Sequence, residues 1–131
     1  MSKIKVLVVE DENIVGFEIK KRLKKLGYSV HAVAKTGQDA INKAATTYPD
    51  IILMDIMLKG DMTGIEAADT IRQEHNIPII YLTAYSDEET ILRAKETNPY
   101  GYILKPFKEE DMKITIEMAL NKHKKEMQET Q

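Results

Sequence analysis

The stretch PDIILMDIML, residues 49–58, combines a clear strand pattern with an acid in an unexpected place. Four consecutive apolar residues, 51–54, follow Pro49 and Asp50, and such a short apolar run is typical of a parallel strand buried on both faces. Asp55 then stands between this run and three further apolar residues. Because a lone charge among apolar side chains is costly to desolvate, we expect Asp55 to have a function that compensates for this cost.

The composition of the chain restricts the functions that it can have. Its 131 residues suit one domain, and 43% hydrophobic and 31% charged residues are typical of a globular protein. A net charge of -2 provides no basic field, so we expect neither nucleic acid nor a membrane among the partners. The absence of cysteine excludes disulfides and thiolate chemistry. No apolar stretch suits a signal peptide or a bilayer span, and we therefore expect a cytoplasmic protein.

Five β-rich runs alternate with five helical patterns along the chain. The predicted strands cover residues 3–9, 28–34, 50–54, 77–84 and 100–104. Gly27 ends the first predicted helix, and the others cover about residues 36–48, 64–74, 86–98 and 108–125. Ser86, with Glu89 three residues later, is the expected N-cap of the fourth helix. The alternation predicts an α/β domain over residues 1–125, with a parallel sheet covered on both faces, and a polar tail at 126–131.

Polar residues collect at the predicted carboxyl ends of four strands, where parallel sheets form their binding sites. Two carboxylates about 4 Å apart repel each other by about 4 kcal/mol at an effective dielectric constant of about 20, so such a cluster requires a proton or a cation. Oxygen ligands favour Mg²⁺, with Mn²⁺ as an alternative. Aspartate can attack phosphorus to form an acyl phosphate, and a lysine and a hydroxyl can bind its oxygens. The residues concerned are Glu10, Asp11, Asp55, Thr83 and Lys105.

Five short motifs, in this order, carry a family resemblance: LVVEDE (7–12), ILMDIML (52–58), GIEAA (64–68), YLTAY (81–85) and GYILKPF (101–107). Over residues 3 to about 125 the chain resembles the receiver domain of two-component response regulators. The resemblance implies a flavodoxin-like (βα)5 fold, a three-layer sandwich whose five-stranded parallel sheet has the strand order 2-1-3-4-5. Lys105 and Pro106 match a lysine–proline pair of the family whose peptide bond is typically cis, although the sequence alone does not predict the isomer.

The resemblance further implies a phosphorylatable signalling switch. A sensor histidine kinase or a histidine phosphotransfer protein would supply the phosphoryl group to Asp55. The family pattern assigns Mg²⁺ to Asp11, Asp55 and the carbonyl of Met57, with Glu10 acting largely through water. Asp11 alone would be an ordinary helix cap, but its convergence with the other site residues favours the metal role. The residues expected to bind the phosphoryl group are Thr83, Ala84 and Lys105.

The expected output is a change of surface, without turnover of a substrate. Thr83 and Tyr102 are the expected switch residues, and Tyr102 would repack and alter the face made by the fourth helix, the fifth strand and the last helix. This face would bind a downstream protein target or a second copy of the chain. Tyr102 is equally compatible with an ordinary edge-strand tyrosine. The chain would catalyse only its own phosphorylation and dephosphorylation, as a stand-alone receiver or as part of a larger signalling protein.

The loop after Asp55 departs from the family pattern. It lacks the usual proline after a methionine and has one extra residue before Gly64. Met57 and Tyr85 stand two residues past Asp55 and Thr83, at positions that tune dephosphorylation in the family. Because both side chains are bulky, we hypothesise that they hinder the attacking water. The phosphoryl lifetime in a Tyr85→Ala variant tests this hypothesis.

Three other functions fit the same architecture. A flavin- or nucleotide-binding protein would need a Gly/Ser/Thr-rich phosphate loop after the first strand, where this chain has VVEDENIVG. A phosphatase with an aspartyl nucleophile would release phosphate from small phosphoesters over many turnovers. A binding domain with an unphosphorylated Asp55 would keep the fold without the chemistry. The complete set of site residues favours phosphorylation over this last function.

Overall fold

The structure, a computed structural model, describes residues 3–84 and 88–129. Strands and helices alternate along this part of the chain, as the sequence predicts. The strands are β1 (Val6–Val9), β2 (Val33–Ala34), β3 (Ile51–Asp55), β4 (Ile79–Ala84) and β5 (Gly101–Lys105). The helices are α1 (Asn13–Lys25), α2 (Gly37–Thr47), α3 (Gly64–Glu74), α4 (Glu88–Glu96) and α5 (Glu109–Glu129).

The strands form one parallel sheet with the order β2-β1-β3-β4-β5, which confirms the predicted flavodoxin-like fold. In its register, Val9 lies opposite Met54 and Asp55 lies opposite Leu82. Ala84 lies opposite Lys105 at the end of the next pair. Because the four neighbouring strands β1, β3, β4 and β5 end at nearly the same level, the residues that end or follow them meet at one edge of the sheet.

Helices cover both faces of the sheet and give the three layers of the predicted sandwich. Helices α2, α3 and α4 supply alanines and Ile71 to one core, where they pack against the side chains of Leu7, Ile52 and Met54. Helices α1 and α5 supply the second core, on the other face, around Val8 and Leu53. Burial on both faces accounts for the nearly continuous apolar sequences of β1, β3 and β4.

Several elements differ in extent from the sequence prediction. Strands β1 and β4 begin later than predicted, at Val6 and Ile79, and β5 is shifted by one residue to Gly101–Lys105. Strand β2 is predicted over residues 28–34 but contains only Val33–Ala34, with a separate bridge between Ser29 and Lys5 nearer its expected start. Strand β3 extends one residue further than predicted and includes Asp55. Helix α5 passes its predicted end near residue 125 and reaches Glu129. The predicted cap Ser86 and the residue Tyr85 lie outside the described residues.

The extension of α5 has a tertiary cause. The Tyr100 hydroxyl donates a hydrogen bond to Glu126, and the Asn76 amide contacts the Met127 sulfur at 2.7 Å. His123 Nε2 also lies 3.1 Å from the Asn76 carbonyl oxygen. These contacts hold the last turns of a helix whose sequence alone is polar enough to fray. Within the described ranges, no helix has the length and apolarity that crossing a membrane requires.

Candidate functional site

The carboxyl edge of the sheet brings together the acids and the lysine that the sequence places after separate strands. Glu10 directly follows β1, and its amide donates to the Ala34 carbonyl at 2.9 Å, which continues the ladder with β2 by one bond. Asp55 is the last residue of β3, and Lys105 is the last residue of β5. The strand ends therefore fix the backbone of Glu10, Asp55 and Lys105, as in other sites built at the end of a parallel sheet.

Lys105 bridges two buried carboxylates at this edge. Its Nζ donates to Glu10 Oε1 at 2.8 Å and to Asp55 Oδ2 at 3.2 Å. The side chain of Lys105 is 23% exposed, whereas those of Glu10 and Asp55 are 0% and 5% exposed. Burial by itself would lower the pKa of Lys105, but the hydrogen bond to Glu10 and the charge of Asp55 raise this pKa above its ordinary value. The ammonium therefore serves as the counterion of two acids that are largely excluded from water.

The site opposes the ionisation of Glu10. Burial is the main reason why the pKa of Glu10 is raised to about 7. The hydrogen bond from Lys105 lowers this pKa, whereas the neighbouring Asp55 raises it. In the resting site Glu10 therefore pairs directly with Lys105. The role of Glu10 towards a metal through water, which the family resemblance implies, stays a prediction.

Asp11 is more exposed than Glu10 and has a different partner. Its Oδ2 accepts a hydrogen bond from the Lys59 amide at 2.9 Å, across the loop that follows β3. Burial would raise the pKa of Asp11, but the Lys59 amide and a contact with Glu10 outweigh it, so that this pKa lies below its ordinary value. Asp11 is therefore more readily ionised than Glu10.

The three acids are close enough to share one cation. One carboxylate oxygen from each of Glu10, Asp11 and Asp55 lies within 4.8 Å of the other two. Among the described residues, the Lys105 ammonium bonds two of the three carboxylates and the charge of Lys59 acts on Asp11, so negative charge still exceeds positive charge when all three acids are ionised. A cluster of hard oxygen ligands with excess negative charge suits a divalent cation such as Mg²⁺. The arrangement is therefore chemically capable of holding a metal.

The loop between β3 and α3 closes the site on the side of Asp55. The Met57 amide donates to Asp55 Oδ1 at 3.0 Å, so that the carboxylate is held by a backbone donor on one oxygen and by Lys105 on the other. The side chain of Met57 itself is 65% exposed. Gly60 has φ +107°, which this loop uses to turn back towards α3.

Gly64, the first residue of α3, makes the closest approach to the strand that carries Asp55. A Cβ at position 64 would lie 1.9 Å from the carbonyl oxygen of Asp55, and the Gly64 amide donates to the Ile56 carbonyl at 3.1 Å. The preceding Thr63 forms a reciprocal capping box with Glu66. Gly64 lies within one of the family motifs of the sequence, but the motif by itself does not reveal this packing role. The Lys59 amide was also missed, because a backbone donor leaves no signature in a sequence.

Thr83 and Tyr102 lie on neighbouring strands beside the acid cluster. Thr83 is buried, and its hydroxyl donates to the carbonyl of Ala84 at 3.0 Å, while Ala84 is exposed at the end of β4. Tyr102 is half-buried against Tyr81, with 6.2 Å between ring centroids, and burial raises the pKa of Tyr102. The Lys105–Pro106 peptide bond is cis, as is typical of the matching pair in the family.

A sheet of this order, with acids and a lysine at its carboxyl edge, defines a class of α/β signalling domain, and the comparisons identify the family. The family profile of the response regulator receiver domain matches residues 6–117. The chain therefore belongs to the response regulator receiver domains of two-component systems, and the acidic cluster fits the phosphorylation site of this family.

Individual proteins agree with this assignment. The transcriptional regulatory protein PdtaR of Mycobacterium tuberculosis is 32% identical over 118 residues, which are 90% of this chain and 57% of that protein. The chain thus spans little more than half the length of the curated relatives it matches. The receiver domain of a modulated diguanylate cyclase from Desulfovibrio desulfuricans G20 is 40% identical, with a TM-score of 0.90 and coverage of 95% of this chain and 99% of that one.

A third comparison concerns the N-terminal domain of a response regulator/sensory box/GGDEF three-domain protein from Carboxydothermus hydrogenoformans. It is 35% identical, with a TM-score of 0.85 and coverage of 94% of this chain and 98% of that one. Receiver domains interact with histidine kinases and with downstream effectors, so the same two kinds of contact are the ones to consider for this chain.

Proposed function

We propose that the chain is a phosphorylatable switch that accepts a phosphoryl group on Asp55 from a histidine of a sensor kinase or of a histidine phosphotransfer protein. The observation that carries this proposal is the double hold on the Asp55 carboxylate. The Met57 amide binds Oδ1, and Lys105 binds Oδ2, while the rest of the residue is buried. A carboxylate held by two donors at the mouth of an acid cluster is positioned to attack phosphorus.

The reaction is a displacement at phosphorus. A carboxylate oxygen of Asp55 forms a bond to phosphorus while the bond to the donor nitrogen breaks, and the donor imidazole keeps that electron pair. Asp55 has no proton to lose, because the ionised carboxylate is the nucleophile. The protein contributes position and charge stabilisation, which are the main sources of catalysis in phosphoryl transfer. Lys105, already 3.2 Å from Asp55 Oδ2, can follow the charge onto the phosphoryl oxygens.

We propose Mg²⁺ as the resident cation, with Mn²⁺ as an alternative. Asp11, Asp55 and the carbonyl of Met57 would hold it, and Glu10 would assist largely through water. When bound, the ion neutralises the acids and part of the phosphoryl charge. The support for this choice is the set of carboxylate oxygens within 4.8 Å of one another, since Mg²⁺ prefers hard oxygen ligands and retains waters.

The phosphodonor would dock beside Lys105, on the face of α1. Ile14 and Phe17 are 83% and 66% exposed there. A cavity of about 270 Å³ next to them is lined mainly by apolar side chains and reaches Lys105, Pro106 and Phe107. Exposed apolar surface of this kind, next to the reacting carboxylate, suits a protein donor better than a small molecule.

The output would be a rearrangement of the surface made by α4, β5 and α5. Thr83 can rotate its hydroxyl from the Ala84 carbonyl to a phosphoryl oxygen, and Ala84 at the end of β4 would follow. Tyr102, half-buried at present, would then repack. Leu104 is 50% exposed on the same strand and would lie within a contact with a downstream protein or a second copy of the chain. The chain would modify itself once per signal and would not turn over a substrate.

Phosphorylation by acetyl phosphate in Mg²⁺, followed by intact-mass measurement, tests the proposal. The expected result is one phosphoryl adduct in the wild type and none in Asp55→Asn. Asp50→Asn is the matched control, because Asp50 is an acid at the opposite end of the same strand, where it accepts a hydrogen bond from the Lys5 amide at 2.8 Å. An adduct that persists in Asp55→Asn, or its absence in the wild type, would contradict the proposal. Steady release of phosphate over many turnovers would instead favour a phosphatase.

A further inference from the structure

Tyr81 is a buried tyrosine that connects the sheet to the end of α4. It lies in β4 with 0% exposure, and its hydroxyl oxygen is 2.7 Å from the Thr97 hydroxyl oxygen. Thr97 donates its own hydroxyl proton to the carbonyl of Ala94 at 2.7 Å. Because a threonine hydroxyl has a single proton, Tyr81 must be the donor to Thr97. The chain of bonds therefore runs from the Tyr81 hydroxyl through Thr97 to Ala94.

These bonds hold the last turn of α4. The Ala94 carbonyl also accepts from the Thr97 amide at 3.1 Å, and Asn98 follows with φ 52° as the chain leaves the helix. Ala94 is the buried residue of α4 among those that the structure describes there. The buried contact of α4 and the hydrogen bond that the Tyr81 hydroxyl donates to Thr97, the residue after the helix, thus both lie at the C-terminal end of α4.

Tyr81 is also adjacent to both proposed switch residues. Thr83 is two positions further along β4, so both side chains point to the same face of the sheet. Tyr102 is the register partner of Tyr81 on β5, and the two rings lie 6.2 Å apart between centroids. Strand β4 is paired on both sides, with β3 and with β5, and cannot shift without breaking these ladders.

We propose that Tyr81 is a positioning residue of the switch, which fixes the C-terminal end of α4 so that this end serves as a pivot. Movement that begins at Thr83 and Ala84 would turn α4 about Thr97, and the displacement would be largest at the N-terminal end of the helix. The inference rests on the proposed function, because it needs phosphorylation to start the movement. It adds a residue whose role is to direct that movement onto one part of the output face.

Hydrogen exchange of backbone amides in wild type, Tyr81→Phe and Thr97→Val tests this pivot. In the absence of ligands, we expect exchange of amides 94–98 to rise by about fivefold in Tyr81→Phe, the effect of losing one net hydrogen bond. Thr97→Val should have at least as large an effect. Adding Tyr81→Phe to Thr97→Val should cause no further rise, since both changes remove the same bond and the phenylalanine also removes the buried hydroxyl that the valine leaves without this partner. Tyr28→Phe, a partly buried tyrosine in the other core, is the matched control and should leave these amides unchanged.

The same variants are then compared with Mg²⁺ and beryllofluoride, an analogue of the phosphoryl group. In the wild type we expect changed exchange in the first turn of α4 but not at amides 94–98, and in Tyr81→Phe we expect the change to extend through 98. An equal rise across β1 and β3 in Tyr81→Phe would indicate a general loss of stability and would overturn the pivot. The pivot would also be overturned if the wild type responds to beryllofluoride and Tyr81→Phe shows the same pattern of exchange as the wild type. A wild type without any response to beryllofluoride would contradict the proposed function. The fivefold rise in exchange of Tyr81→Phe without ligand would in that case still establish that Tyr81 holds the C-terminal end of α4.

Discussion

Replacing Gly64 with alanine should damage both the fold and the site, and the structure gives the size of the conflict. A Cβ at position 64 would lie 1.9 Å from the Asp55 carbonyl oxygen, 2.9 Å from its carbonyl carbon and 3.0 Å from the Ile56 Cα. Ordinary contact begins at about 3.5 Å, so the start of α3 must move by about 1.5 Å relative to the end of β3. Every atom in conflict belongs to the backbone, and no side chain can rotate away to relieve it.

The energetic cost follows from these distances. Forced overpacking costs about 1–3 kcal/mol, and the movement also removes the bond from the Gly64 amide to the Ile56 carbonyl, a further loss of about 1 kcal/mol. Against this, alanine is the better helix former by up to about 1 kcal/mol. We therefore expect Gly64→Ala to lower the free energy of unfolding by about 3 kcal/mol, which is roughly 10 °C in Tm for a chain of this size.

Gly37→Ala is the matched control, because Gly37 is the first residue of α2 as Gly64 is of α3. The nearest contacts of its added Cβ would be the sulfur, Cγ and Cβ of Met62 at 2.8, 2.9 and 3.0 Å, a shallower overlap than at Gly64 and one with a side chain instead of backbone. Urea denaturation of both variants measures the difference, and acetyl phosphate labelling measures the effect on Asp55. We expect Gly37→Ala to lower the free energy of unfolding by clearly less than Gly64→Ala. A Gly64→Ala variant within about 0.5 kcal/mol of the wild type, on the order of an ordinary surface substitution, would refute the reasoning.

Three further predictions concern the charges and the caps. Lys105→Met should leave Glu10 and Asp55 without their counterion. Added Mg²⁺ should therefore raise the Tm of this variant by more than it raises the Tm of the wild type. An equal rise in both proteins would contradict the role of Lys105 as counterion. The metal-free protein should lose stability as the pH rises through about 7, because Glu10 binds its proton more tightly in the folded protein than in the unfolded chain, where its pKa is the ordinary 4.5. The stability that this proton contributes is therefore full below about pH 4.5 and is lost as the pH rises through about 7. Thermal melts from about pH 4.5 to 8 should show this loss in the wild type but not in Glu10→Gln. Thr63→Ala should lower the free energy of unfolding by about 1 kcal/mol, because it removes the capping box of α3; urea denaturation measures this loss. A loss below about 0.3 kcal/mol, on the order of the error of such a comparison, would be inconsistent with a stabilising cap.

The periodicity of the sequence was sufficient to predict the main elements of the fold. Helix α3 begins at Gly64 and ends at Glu74, as predicted, because its apolar spacing and its first glycine both mark the boundaries. The parallel sheet followed from apolar runs separated by helices, and the strand order came from the family resemblance. These features depend on local patterns, which a sequence displays directly.

Features that depend on distant partners could not be predicted in the same way. Strand β2 is short because only Val33 and Ala34 pair with β1 as a ladder, although the neighbouring residues have a similar composition. Helix α5 extends to Glu129 because Tyr100 and Asn76 supply partners to its last turns. The pairing of Lys105 with Glu10 is of the same kind, since 95 positions separate the two residues. Each case is decided by contacts that no local pattern contains.

This pairing also constrains how the proposed switch could work. Moving a two-state equilibrium from mostly off to mostly on takes about 5.5 kcal/mol, and hydrogen bonds to charged groups contribute about 1.5–3 kcal/mol each. Bonds from Thr83 and Lys105 to a phosphoryl group would by that count be nearly sufficient. Lys105, however, must release Glu10 and Asp55 to make its new bond. Its net contribution is therefore only the energy of the bond to the phosphoryl group minus the energy of the bonds to Glu10 and Asp55 that it gives up.

The remaining part of the switching free energy, which Lys105 cannot supply, has to come from whatever neutralises Glu10 once Lys105 has moved away. Protonation of Glu10, whose pKa is already raised to about 7, is one way to dispense with the ammonium. A divalent cation held by Asp11 and Asp55 is another, and it also opposes the charge of the phosphoryl group. On either route, phosphorylation alone would be insufficient to free Lys105. In the proposed switch, the neutralisation of Glu10 and the capture of the phosphoryl group would therefore be coupled through the Lys105 ammonium, and the two should respond together when Lys105 is replaced.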